Sequence, residues 1–129
     1  MPRCVLLAAA LTAALALALP AAAQVQRNFP ATALRGTLEV TQPPEVLLNG
    51  APARLAPGAR IRGTDNLLQM SGGLLGQRFV VDYTLDIGGL VMDVWLLTPQ
   101  EAARQPWPTT PAQAAAWRFD PLAQTWSRP

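Results

Sequence analysis

Phe79-Val80-Val81-Asp82-Tyr83-Thr84-Leu85-Asp86-Ile87-Gly88-Gly89-Leu90-Val91-Met92-Asp93-Val94-Trp95-Leu96-Leu97 is the stretch on which the fold class turns. Phe79, Val81, Tyr83, Leu85 and Ile87 alternate with Val80, Asp82, Thr84 and Asp86, the period of a strand with one buried face. Gly88-Gly89 then supplies a two-residue hairpin loop. That loop pairs Ile87 with Leu90, Leu85 with Met92, Tyr83 with Val94 and Val81 with Leu96, so one face is wholly apolar or aromatic. The other face pairs Asp86 with Val91, Thr84 with Asp93, Asp82 with Trp95 and Val80 with Leu97. A slip of one residue would turn the apolar set outward, so pattern and turn specify the same register.

Working back from the hairpin, Leu34, Gly36, Leu38 and Val40 alternate with Arg35, Thr37, Glu39 and Thr41, a second half-buried strand. Pro43-Pro44 ends it, since neither proline donates to a ladder. Asn49-Gly50 is a strong hairpin signal, and a two-residue loop there sets Leu48 against Ala51, Val46 against Ala53 and Pro44 against Leu55. Pro57-Gly58 predicts a turn before a short strand Arg60-Ile61-Arg62 with Ile61 inward. Thr64-Asp65-Asn66 turns the chain again, and Gly72-Gly73 breaks the segment that follows. Thr98-Pro99-Gln100-Glu101 is a capping box with proline at the first helical position, predicting a short helix to about Arg104. The expected fold is mainly β: a small antiparallel barrel or curled sheet of about five or six strands, of SH3-like or OB-like size, with one short helix after the last strand.

At the ends of the chain the patterning changes. Met1–Ala23 has one cation (Arg3), an apolar run Val5–Leu19, Pro20 and an Ala21-Ala22-Ala23 cleavage site, which reads as a secretory signal peptide cut after Ala23. Cys4 precedes the apolar run, whereas a lipoprotein leader places its cysteine at the cut, so lipidation is not expected. The domain organisation is then 1–23 signal peptide, 24–33 lead-in, 34–104 β domain and 105–129 tail, with the product expected in the periplasm or outside the cell. The tail holds five prolines and little periodicity, and its one helical candidate is Thr110-Pro111 leading Ala112–Trp117, so it is expected to be irregular. Removing the leader leaves 106 of 129 residues, with no cysteine, to fold in an oxidising compartment by packing alone.

Composition excludes most chemistry. The chain has no His and no Lys, Cys4 lies in the leader, and Ser71 and Ser127 are the only serines. Ser-His and Cys-His catalysis, zinc held by imidazole or thiolate, Schiff-base chemistry and the P-loop are thereby ruled out. No cofactor, metal site or catalytic residue is expected. Carboxylates remain, and Asp82, Asp86 and Asp93 fall on one hairpin face with Trp95 opposite Asp82, so a small glycan hydrolase is the alternative function. The plainer reading is that these aspartates form the solvated face of a sheet.

The sequence pI of about 9.5 is no sign of a polyanionic partner. Without Arg3 the chain carries nine arginines against eight acids. Charge is segregated: Val46–Arg78 has four arginines and one aspartate, while Phe79–Ala103 has four acids and no cation. Cross-strand pairing within one barrel explains this most simply, and an anionic partner or a self-complementary surface more pointedly. Nucleic acid is not expected, because the arginines lack interleaved aromatics and the product is exported. Trp107, Trp117 and Trp126, with Phe119, either fold back over an open barrel edge or anchor a partner. A membrane anchor is the weaker reading, because only Arg104, Arg118 and Arg128 would support it. The candidate binding residues are Trp95, Trp107, Trp117, Trp126, Arg60 and Arg62.

Arg27-Asn28-Phe29-Pro30 through Leu34-Arg35-Gly36, the run Thr41–Gly50, and Leu55–Arg62 resemble short exported proteins of unassigned function from β-proteobacteria. The likeness covers about residues 25–104. It implies an envelope location and a single small domain, and transfers no site. The expected function is binding, as an accessory or interaction module of the cell envelope, with an envelope protein or a glycan as partner.

Overall fold

The computed structural model describes residues 26–129. The leader Met1–Ala23 and its cut lie outside the described residues. Eight strands form in chain order: β1 (Leu34–Gln42), β2 (Glu45–Leu48), β3 (Ala51–Arg62), β4 (Leu68–Gln69), β5 (Arg78–Leu85), β6 (Val91–Leu96), β7 (Arg118–Asp120) and β8 (Thr125–Ser127). Two helices, α1 (Pro99–Ala102) and α2 (Pro111–Ala116), and a 3-10 turn at Ser71–Leu74 complete the elements.

Five strands close a barrel. β1 pairs with β2 and β5, β2 with β3, and β5 with β6, all antiparallel, and a parallel β3–β6 seam completes the ring. β4 adds to the edge of β3. The parallel seam makes the barrel mixed, in place of the wholly antiparallel one expected. The seam depends on β3, whose first half pairs with β2 and whose second half, Arg60–Arg62, pairs with β6. Pro57-Gly58 is therefore no turn. With Gly58 at φ +79°, it is a bend between two registers of one 12-residue strand. The core inside the ring gathers Leu38, Val40, Val46, Ile61, Val81 and Val94, each at most 3% exposed. Alternation on β1, β3, β5 and β6 puts them there.

The Asn49-Gly50 hairpin forms in the expected register, with Leu48 opposite Ala51 and Val46 opposite Ala53. Both turn residues have positive φ, +54° and +78°. The Asn49 side chain adds a contact outside the turn: Thr37 N–H donates to its Oδ1 at 2.9 Å, and Asn49 N–H donates back to Thr37 O at 2.8 Å. Gly36 makes room for this clasp, since a Cβ there would lie 2.8 Å from Asn49 Oδ1. Asn49→Ala should lower stability by about 1–2 kcal/mol, from the lost hydrogen bond and the strained positive φ. A urea midpoint unchanged from the parent would refute that role for Asn49.

The β5–β6 hairpin is correct in its body and different at its tip. Val81 faces Leu96, Asp82 faces Trp95 and Tyr83 faces Val94, but Leu85 faces Val91 rather than Met92. Asp86 closes the loop instead of the Gly-Gly pair: its Oδ1 accepts from Leu90 N–H at 2.9 Å, and its own N–H donates to Leu90 O at 2.8 Å. The widened loop adds a residue to β6 as a bulge and leaves Ile87 fully exposed.

The capping box forms in full, with Thr98 Oγ1 accepting from Glu101 N–H and Glu101 Oε1 accepting from Thr98 N–H. Residues 105–129 depart from the irregular tail expected. They carry α2 and the β7–β8 hairpin, and they cover the barrel wall. β2 pairs only with Leu38 onward, leaving the start of β1 an open edge. The tail caps it there, with Arg35 N–H donating to Pro108 O at 2.8 Å.

Candidate functional site

The four indoles gather at one cluster, in which Trp107 and Trp126 pack directly on each other. Trp107 and Trp126 are both only 5% exposed and share a second core with Phe29 and Ala33. Trp107 packs edge-on against Phe29, Phe119 and Trp126 at 5.9–6.1 Å and donates its Nε1 to Ala33 O at 3.0 Å. Trp95 reaches the same cluster from β6 through Phe29, at 5.5 Å. Trp117 is half-buried under the Arg128 guanidinium. Gln124, 1% exposed, locks the arrangement by accepting from Phe29 N–H at 2.7 Å. As candidate binding residues, Trp107 and Trp126 are thus corrected: their surfaces are spent inside the molecule. Arg60 is committed too, at 3.1 Å from Asp93, while Arg62 beside it on β3 has no acidic partner among the described residues.

Covering the wall changes the aspartates beneath it. Asp82 is not on a solvated face but fully buried, 3.0 Å from Arg35, whose guanidinium stacks under the Trp107 ring at 4.6 Å. Burial pushes the Asp82 carboxyl up to about 6, outweighing the opposite pull of Arg35. Asp93 is occupied by Arg60 and the Thr84 hydroxyl, and Asp86 by its own loop.

Every one of the eight carboxylates is in fact engaged. Five sit in ion pairs: Arg27–Glu101, Arg35–Asp82, Arg54–Glu45, Arg60–Asp93 and Arg78–Glu39. Apart from Arg27–Glu101, each joins residues directly opposed across two strands, and Arg60–Asp93 is the one that ties the basic block to the acidic one. Asp65, Asp86 and Asp120 accept from backbone N–H groups of their own turns. Among the described residues no group of carboxylates converges as a metal site.

No protein-family model, curated protein or solved structure matches the chain. Its site has to be read from its own geometry.

A cleft of about 700 Å³ lies between the Gly63–Asn66 loop after β3 and α1. All the side chains lining it are polar. Arg27 and Glu101 form one part of the lining, and both are buried. Arg27 donates Nε to Glu101 Oε2 at 2.9 Å, Nη1 to Gly63 O at 2.8 Å and Nη2 to Leu96 O at 2.7 Å. One guanidinium thereby ties the lead-in to the ends of β3 and β6 and to α1. Burial pushes the Glu101 carboxyl up, but the Arg27 and Thr98 hydrogen bonds prevail and hold it below the usual range. Thr64, Asp65 and Thr98 also border a second cleft of about 510 Å³, where Leu74, Phe79 and Leu97 supply apolar wall.

The sequence pointed to Glu101 only as a capping residue. Arg27, Gln100 and Arg104 carry no local signal for this cleft, because Arg27 and Glu101 lie 74 residues apart.

Proposed function

We propose that the chain is an exported envelope protein that acts by binding and carries out no catalytic step, with the cleft beside α1 as its ligand site. The leader pattern and the resemblance to short exported β-proteobacterial proteins support the location. The observation that carries the choice of binding over hydrolysis is the commitment of all eight carboxylates to arginines or backbone N–H groups. A glycosidase needs two carboxyls facing one bond, about 5–10 Å apart and open to substrate. Asp82 is enclosed beneath Trp107, and Asp93 is held by Arg60 and Thr84. The cleft, in contrast, is open, and every residue lining it carries a polar group, although their carbon stems supply much of its surface.

The test has two parts. Mass spectrometry of the periplasmic fraction should find a chain beginning near Gln24. That chain should co-sediment with insoluble peptidoglycan without releasing reducing ends at any pH. An intact Met1 terminus held in the inner membrane would overturn the location. A bell-shaped rate of reducing-end release, abolished by Asp82→Asn, would overturn the binding reading in favour of the hydrolase.

A further inference from the structure

We infer that the cleft between the Gly63–Asn66 loop and α1 takes a carboxylate-bearing saccharide, and that Arg104 receives the carboxylate. The inference rests on the binding reading above and names its ligand class. Arg104 differs from the arginines around it. Arg27 is saturated by Glu101 and two carbonyls, and Arg35 by Asp82 and the carbonyls of Ala102 and Arg104. Arg104 lines the cleft, has no acidic partner within ion-pair distance among the described residues, and holds its Nη1 shielded from solvent with no acceptor. A guanidinium offers five donors in a planar fork, and a carboxylate meets two of them at once. Nη1 is closed to solvent and to a ligand alike, whereas Nε and Nη2 donate to no described residue and form the edge of the fork that a carboxylate in the cleft can meet.

The rest of the lining chooses among anions. Gln26, Thr64, Asn66 and Gln100 border the same cleft and spend no side-chain polar atom on a described residue. Amides and hydroxyls of this kind pair with sugar hydroxyls and acetamido groups. Asp65 commits Oδ1 to Leu67 N–H, leaving Oδ2 as an acceptor. The lining holds two arginines and two carboxylates, so its charge suits a single carboxylate better than a multiply charged phosphate. Its volume of about 700 Å³ is enough for two sugar rings.

Nuclear magnetic resonance titration of the labelled mature chain tests this with three probes. N-acetylglucosaminyl-N-acetylmuramic acid carries the carboxylate, chitobiose is its uncharged counterpart, and D-alanyl-D-alanine carries a carboxylate without a sugar. The acidic disaccharide should shift the signals of Asn66, Gln100 and Arg104 and bind at least about tenfold more tightly than chitobiose. Arg104→Gln should erase that difference, and Gln100→Ala, an exposed change, should weaken both disaccharides alike. Equal binding of the two disaccharides, equal binding of the dipeptide, or no shift at these residues would each overturn the inference. In that event, continued co-sedimentation with peptidoglycan without cleavage would leave the binding reading standing, and its loss would end both.

Discussion

Truncation after Gln105 removes roughly 5 kcal/mol of stability, because Trp107 and Trp126 each contribute about 2–3 kcal/mol by leaving water. The loss is close to the whole stability of a small domain, about 5–15 kcal/mol. The shortened chain should therefore melt at least about 20 °C lower, or fail to fold cooperatively at 37 °C. The surface it uncovers is apolar and charged together: Phe29, Trp95 and the Arg35–Asp82 pair. Aggregation should follow. Fluorescence of the full chain gives an independent check, since the enclosed Trp107 and Trp126 should emit blue-shifted and resist acrylamide. A truncated chain as stable as the parent would mean that the second core contributes nothing.

Asp82 should produce the second large effect, in two measurements. Asp82→Ala leaves Arg35 charged and unpaired beneath Trp107, and loss of one member of a buried pair costs about 3–5 kcal/mol. The double change Arg35→Met with Asp82→Leu removes both charges and should recover most of that loss. The pH dependence follows from the raised carboxyl. Folded Asp82 binds its proton more tightly than the unfolded chain, so its burial as an anion weighs against folding above about pH 6, and stability rises as pH falls toward 4. The gain is at most about 3 kcal/mol, and roughly half of it is present by pH 5. Glu101 has the opposite sign: its lowered carboxyl contributes stability above the unfolded value of about 4.5, which is lost as pH falls through the folded one. The melting temperature should be flat from about pH 7.5 to 9, rise by about 5 °C on acidification to pH 5, and fall again below about pH 4. Asp82→Asn should abolish the rise. A profile level from pH 7.5 to 5 in the parent chain would show that Asp82 titrates normally.

Local pattern determined much of this protein. The alternation on Leu34–Thr41 and Phe79–Leu97, the positive-φ turn at Asn49-Gly50 and the capping box at Thr98–Glu101 are decided by neighbours within a few residues, and each appears where the chain places it. Where two local signals competed, at Asp86 and Gly88-Gly89, the side chain that could bond the loop's own N–H groups prevailed. At Pro57-Gly58 the turn signal yielded to the barrel, which needs one bent strand to reach both β2 and β6. Tertiary structure alone decided the rest. Phe29, Trp95, Trp107 and Trp126 have no common period, so nothing local announces that they meet. That meeting encloses Asp82, turning an outward position on β5 into a buried ion pair. The cleft arises the same way, from Arg27, the loop after β3 and the residues of α1, brought together across as many as 74 positions. Hydrogen-bonding and packing preferences of adjacent residues are written in the order of the chain, whereas burial and the pairing of distant charges exist only once the chain has closed on itself.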